Sequence, residues 1–262
     1  MTIDFFILLE TSMKRTELVA YLDDLLNIKG IADYGPQGLQ IEGRAEVNKI
    51  VVGVDTAHAT IDGALAAGAD MLIVHHGVFW GPPKRIAGAF GVKVRRFIEA
   101  DLNLYAAHLS LDAHPTLGNN AELCRLLALN PIGGYFNFKG LDVGLIAEPA
   151  ASLSFETLAA RFTDSLQPPL KVDASGPETV RKVAVCSGDA ARSMEEAFEL
   201  GCDTLITGEL DYTMAHVPEE LGMNVIYGGH YVTETLGVQA LARHLAEVFG
   251  LPWAFVDVPV GQ

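Results

Sequence analysis

Seven side chains stand where they could do chemistry: His75, His76, His108, Asp112, Glu209, His230 and Glu234. His75 and His76 close the apolar run Met71–Val74, just before Gly77. His108 follows the run Leu102–Ala106 and has Asp112 four residues on; His230 follows Asn224–Tyr227 and has Glu234 four residues on. Glu209 follows Thr204–Thr207. Imidazole and carboxylate suit first-row divalent metals such as Zn, Fe, Mn, Ni or Co. Three histidines with two or three carboxylates exceed what one tetrahedral zinc ion needs. The surplus points to two ions bridged by a carboxylate or a water, as in two-metal hydrolases.

The spacing sets conditions on the backbone. Adjacent residues on a regular strand point to opposite faces, so His75 and His76 can share a site only if the chain bends after them, which Gly77 permits. His230 and Glu234, at the start of a helix, project from one face. His58, His114, His216 and His244 read instead as caps or surface residues. Taken singly, Asp112 and Glu209 read as helix caps. Cys186 ends a strand and could be a thiolate nucleophile, but a small buried cysteine is the better reading. Phe79 and Trp80 either line a pocket or pack. No Gly-Xaa-Ser-Xaa-Gly elbow, phosphate loop or dinucleotide fingerprint is present.

Elements that place these residues together alternate strand and helix. Short β-rich runs at Lys49–Val54, Met71–Val74, Leu102–Ala106, Val183–Cys186, Thr204–Thr207, Asn224–Tyr227 and Trp253–Val256 imply βαβ units and mostly parallel sheets. Helices are expected at 14–27, 57–67, 91–100, 119–129, 153–165, 190–200, 211–221 and 234–248. Residues 130–148 read as a hairpin, and the proline-bearing 166–181 as a connection between halves. The chain also repeats itself. Lys49–His76 aligns without gaps on Lys182–Glu209, and Tyr105-Ala106-Ala107-His108 matches Tyr227-Gly228-Gly229-His230. The fold class is therefore α/β with two related halves, 13–130 and 131–262. In such sheets ligands bind at strand carboxyl ends, so the metal site is expected there, between the halves.

Composition narrows the function classes. Of 262 residues, 18 are basic and 33 acidic, a formal charge of −15, while half are hydrophobic. That excludes a disordered chain and argues against non-specific nucleic-acid binding, which needs Lys and Arg. Three cysteines lack disulfide or metal spacing, and a reduced, cytoplasmic compartment is the simplest reading. No apolar run approaches the roughly 18 residues of a membrane helix. Met13 opens a charged, helix-like segment, which leaves residues 1–12 as a start-site extension.

Four runs in order resemble the Nif-three-like dinuclear metal centre proteins, also labelled GTP cyclohydrolase I type 2 homologues. They are Asp33-Tyr34-Gly35-Pro36-Gln37-Gly38-Leu39-Gln40, Val74-His75-His76-Gly77-Val78-Phe79-Trp80, His108-Leu109-Ser110-Leu111-Asp112-Ala113-His114 and Gly229-His230-Tyr231-Val232-Thr233-Glu234. The resemblance runs from about Met13 to the carboxyl terminus, and is closest to the short bacterial members of YbgI type. It implies a two-metal site on His75, His76, Asp112, His230 and Glu234. It also implies a toroidal homo-hexamer, a trimer of dimers, with its sites facing an interior cavity. Where other members often carry Asp-Asn-Val-Gly-Leu, this chain has Gly35-Pro36-Gln37-Gly38-Leu39, and no ligand is assigned there.

The expected function is a metal-dependent hydrolase acting on a small polar or phosphorylated substrate, a purine nucleotide being one version. His108 or Glu209 would orient ligands or move protons. The rival expectation is a non-catalytic, ring-shaped metal-binding scaffold or regulator. A hydrolase should keep an open position facing a pocket, whereas a scaffold should saturate its ions with protein ligands.

Overall fold

In the computed structural model, which describes residues 12–260, strands and helices alternate as the apolar runs demand. The first elements are α1 (Arg15–Leu25), β1 (Gly38–Ile41), β2 (Ile50–Asp55), α2 (His58–Ala66), β3 (Met71–His76), α3 (Gly88–Glu99) and β4 (Asn103–Ala106). Next come α4 (Leu109–Asp112), α5 (Asn119–Leu127), β5 (Leu129–Phe138), β6 (Leu141–Pro149), α6 (Phe155–Ser165) and β7 (Lys171–Ala174). The chain continues through β8 (Val183–Cys186), α7 (Met194–Glu199), β9 (Thr204–Thr207), α8 (Val217–Leu221), β10 (Asn224–Tyr227), α9 (His230–Phe249) and β11 (Trp253–Phe255).

Two main sheets result, of order β11-β2-β3-β4-β1 and β7-β10-β9-β8-β6-β5. In the first, only β1 runs against its neighbour. Its central strands are continuously apolar because both faces are covered. Ile50, Val52, Met71 and Ile73 pack with Leu18 and Leu22 of α1 and Leu241 and Leu245 of α9. Val51, Leu72 and Val74 pack on the other side with Ile61 of α2 and Val94 and Phe97 of α3. Each such side chain, fully buried, contributes about 1.5–3 kcal/mol. The second sheet repeats the alternation: Ala184, Leu205 and Val225 meet Met194 and Ala197 of α7, and Val185, Ile206 and Ile226 meet Leu158 and Phe162 of α6.

The second sheet is mixed, and the hairpin expected at 130–148 forms its β5 and β6. Only β8, β9 and β10 run parallel; β5, β6 and β7 are antiparallel to their neighbours. Lys139 (φ 51°) and Gly140 (φ 94°) make a two-residue turn between β5 and β6, and a connection that short joins only antiparallel strands. The segment 166–181 does not link two halves. It contributes β7, at the edge of the second sheet, and its prolines flank the strand without interrupting a central ladder. The chain passes between sheets through α4 and α5, and β11 returns to the first sheet beside β2.

Equivalent backbone bonds recur in the two parallel units. Asp70 N donates to Lys49 O and Asp203 N to Lys182 O; Asn103 N donates to Asp70 O and Asn224 N to Asp203 O. The expected extension, residues 1–12, falls outside the described residues apart from Ser12. Among the described residues no helix is long and apolar enough to cross a membrane.

Candidate metal centre

The site gathers at the carboxyl ends of β3, β4 and β10. His75 and His76 are the last residues of β3, and their rings lie 4.8 Å apart, centroid to centroid. They lean towards opposite neighbours: His75 Nδ1 meets Ala107 O beyond β4 at 2.8 Å, and His76 Nδ1 meets Asp55 Oδ1 at the end of β2 at 2.8 Å. His108 Nδ1 sits 2.8 Å from Asp33 Oδ1, and His230 Nδ1 sits 2.5 Å from Glu209 Oε1. Each imidazole is thus held at Nδ1 by an acceptor. In the neutral ring that selects the tautomer with a bare Nε2, the usual arrangement around a metal-ligating histidine.

The carboxylates are placed as firmly. Asp112 ends α4, where its Oδ1 accepts from Asn119 Nδ2 (2.8 Å) and Ser187 Oγ (3.1 Å). Its Oδ2 lies 3.4 Å from His75 Nε2. Glu234 lies in the first turns of α9, which begins at His230, earlier than its apolar periodicity indicates. Gly229, at φ 95°, makes the turn that starts it. Glu234 Oε1 stands 3.1 Å from His230 Nε2 and 3.6 Å from His75 Nε2, and Glu234 Oε2 stands 3.2 Å from His76 Nε2. Gly188, at φ 67°, leaves the space: a Cβ there would meet Glu234 Oε1 at 2.3 Å.

The donor set fits an ion. His75 Nε2 and Glu234 Oε2 are buried without any hydrogen-bond partner, a costly state that coordination would relieve. Ligand bonds of about 2.0–2.2 Å put ligand atoms roughly 3–3.6 Å apart, which is the spacing observed. Three overlapping groups can hold a metal ion: His75 with His76 and His108, His76 with His230 and Glu234, and His75 with Asp112 and Glu234. Burial alone would raise the Asp112 and Glu234 carboxyls, but the facing histidines, His75 first, hold both below the usual carboxylate range. They are ionised and ready to bind a cation.

The structure thus brings His75, His76, His108, Asp112, His230 and Glu234 together, with Glu209 directly behind His230. His58, His114, His216 and His244 lie outside the metal-capable groups among the described residues. Cys186 lines the cleft, and burial pushes its thiol well above the ordinary range, so it is a protonated thiol rather than a nucleophile. Trp80 also lines the cleft, whereas Phe79 packs against Phe90. The sequence reading missed Asp33, Asp55 and Asn119. Asp55 had a signal, since it ends its strand as His76 ends the neighbouring one; Asn119 had none. Gln37, in the run that departs from the resembled pattern, accepts from His108 N and Ser110 N at 3.1 Å each.

Above the cluster opens a cleft of about 670 Å³, reached by His76, His108, Asp112, His230 and Glu234. The sequence model of the Duf34/NIF3 (NGG1p interacting factor 3) family matches residues 13–259. The chain is 41% identical over 247 residues to the GTP cyclohydrolase 1 type 2 homolog of Deinococcus radiodurans, covering 94% of each chain. It is similar to the solved structure of protein ybgI, described as of unknown function (TM-score 0.89, 38% identity, 95% of this chain and 100% of that one). A crystal structure from Thermus thermophilus is also similar (TM-score 0.86, 39% identity, 95% and 100%).

Proposed function

Because the chain belongs to the Duf34/NIF3 family, we propose that it is a dinuclear metal-dependent hydrolase of small polar or phosphorylated substrates. Its two divalent ions would be held by His75, His76, Asp112, His230 and Glu234. One observation carries this reading: Glu234 belongs to two of the three metal-capable groups, with a different histidine nearest each oxygen. A carboxylate so placed suits a bridge between two ions. When bound, such ions lower the pKa of a water and polarise an electrophile.

The chain's own residues supply the rest. Asp55, Glu209 and the Ala107 carbonyl fix the His76, His230 and His75 rings, so their Nε2 lone pairs face one centre. Asn119 and Ser187 occupy one oxygen of Asp112 and leave the other free. His108, set by Asp33, presents Nε2 to the cleft, where it takes or returns a proton. Glu209 acts through His230 as a positioning residue. Opening a purine ring would use the same activated water; the cyclohydrolase name belongs to the relatives. The open cleft favours turnover over a scaffold.

With this reading go two proposals of assembly. Residues 13–130 and 131–262 are related halves whose matched strand ends wall the site, a view supported by their equivalent backbone bonds. Six copies form a ring, as a trimer of dimers. Anaerobic purification without chelator, elemental analysis and a phosphatase, nuclease and cyclohydrolase panel test the whole. Two ions per chain and turnover on one class are expected. One ion or fewer with metal supplied overturns the dinuclear centre, and full metal without turnover returns the scaffold.

A further inference from the structure

The wall of the cleft is aromatic: Tyr34, Trp80, Phe136 and Phe138 line it, the last two also packing against the core of the second sheet. Tyr34 is 60% exposed, yet its ring lies 4.5 Å from that of Phe138 and 6.4 Å from the His108 imidazole. Trp80 meets the same imidazole edge-on at 4.8 Å and anchors its indole N–H on Gly77 O. Phe136 sits in the left-handed region at φ 59°, an outlier for a bulky residue. It is pinned there by Glu196, which accepts from its backbone N–H at 2.9 Å. Strain of this kind persists where surrounding structure enforces it, and it clusters at ligand sites.

Charge points the same way. None of the described residues lining the cleft is lysine or arginine, whereas Asp55, Asp112, Asp189 and Glu234 all line it. Lys139, at the adjoining hairpin turn, has its Nζ 5.0 Å over the Phe138 ring. Arg192 is engaged by Asp211 at 2.6 Å. Beyond the ions that Asp112 and Glu234 would hold, a triphosphate needs Arg, Lys or backbone N–H donors along its length, and the rest of the wall offers it the carboxylates of Asp55 and Asp189.

We propose that the cleft binds a planar aromatic or heteroaromatic ligand without a polyphosphate chain, its ring held against Tyr34, Phe138 and Trp80 and a single donor atom turned to the metal centre. The inference rests on the metal-centre reading above and narrows its substrate class. Stacking on aromatic side chains is tolerant of ring identity, so the shape of the ring, not its base-pairing edge, is what these residues recognise.

The test uses full-length, metal-loaded protein, its metal content measured first and after each titration. Calorimetry would compare guanosine, adenosine, ribose, GTP and ATP on the parent and on a Tyr34→Leu/Phe138→Leu double variant. The nucleosides should bind at least as tightly as their triphosphates, ribose should not bind, and the double variant should lose about tenfold or more in nucleoside affinity with its metal intact. A triphosphate preference of tenfold, unchanged nucleoside affinity in the variant, or no nucleoside binding at millimolar concentration overturns the inference. Failure to hold metal in the parent instead overturns the reading beneath it.

Discussion

The imidazole of His76, at the end of a strand in the five-stranded sheet, and the carboxylate of Glu234, in the helix that follows the six-stranded sheet, stand 3.2 Å apart, Nε2 to Oε2. This one approach joins the two sheets at the site. It depends on α9, whose first turns carry His230 and Glu234 while Val238, Leu241 and Leu245 farther along pack on the first sheet. Side chains that would hold an ion are therefore seated on rigid elements of both sheets.

Glu234→Ala should abolish stoichiometric metal binding without unfolding the chain, whereas Glu148→Ala should leave metal content at the parent level. The charge of Glu234 at a helix start is worth about 0.3–1 kcal/mol and its buried pairing with His75 and His230 up to about 3–5 kcal/mol, within a typical stability of about 5–15 kcal/mol. Elemental analysis and melting temperature, with and without added metal, check both. A variant that still binds two ions would remove Glu234 from the ligand set. One that fails to fold even in excess metal would make the centre structural.

The residues behind the ligands should separate affinity from turnover. Asp55→Asn and Glu209→Gln loosen the rings of His76 and His230, and should weaken metal binding by about 10–100-fold. Asp33→Asn loosens the ring of His108 and the Leu109 N–H that Asp33 also holds; it should lower turnover and shift its pH profile while metal affinity stays within about threefold of the parent, well short of that loss. Competition with a chromophoric chelator reads the first effect, and kcat on the best substrate of the panel the second.

Metal uptake should release protons. Burial alone would lower the pKa of His230, but Glu234 and Glu209 outweigh it and raise the value to about 9. In the metal-free chain His230 is therefore protonated at pH 7, and an ion must displace that proton to reach Nε2. Apparent affinity should climb by about tenfold per pH unit for each proton released, levelling above pH 9. The sign for stability is opposite in the metal-free chain. A raised pKa contributes stability that is fully present below the unfolded value of 6.5 and is lost as pH rises through about 9. Calorimetric titration in buffers of differing ionisation enthalpy counts the protons, and melting temperatures of chelated protein between pH 6 and 10 test the second claim.

Gly188→Ala should destroy the centre from outside the ligand set. A Cβ would fall 2.3 Å from Glu234 Oε1 and 3.3 Å from His230 Nε2, on a backbone with φ 67°. Strain of about 1–3 kcal/mol should lower the melting point by several degrees, and metal content should fall below one ion per chain. Full metal occupancy in this variant would show that Glu234 can move aside and still bind.

Much of the chemistry lies in local sequence. The runs Val183–Cys186, Thr204–Thr207 and Asn224–Tyr227 coincide with strands because continuous apolar stretches that short are stable only when buried on both faces. The histidines and carboxylates at strand ends follow from the same punctuation, since a strand that stops at a polar residue presents it at the rim. Residue type and the four-residue spacing of His230 and Glu234 sufficed to nominate metal ligands.

Tertiary structure alone decided which of these groups meet and what holds them. Nothing local ties Asp33 to His108, Asp55 to His76 or Asn119 to Asp112, because a hydrogen bond between distant elements leaves no periodic trace in either one. Nor does local pattern reveal that β11 returns to the first sheet, or that the hairpin read at 130–148 joins the edge of the second. Those outcomes depend on how two covered sheets share α9. Only that packing brings the carboxylate of Glu234 up to His75 and His76, where burial leaves its Oε2 and the His75 Nε2 without a hydrogen bond.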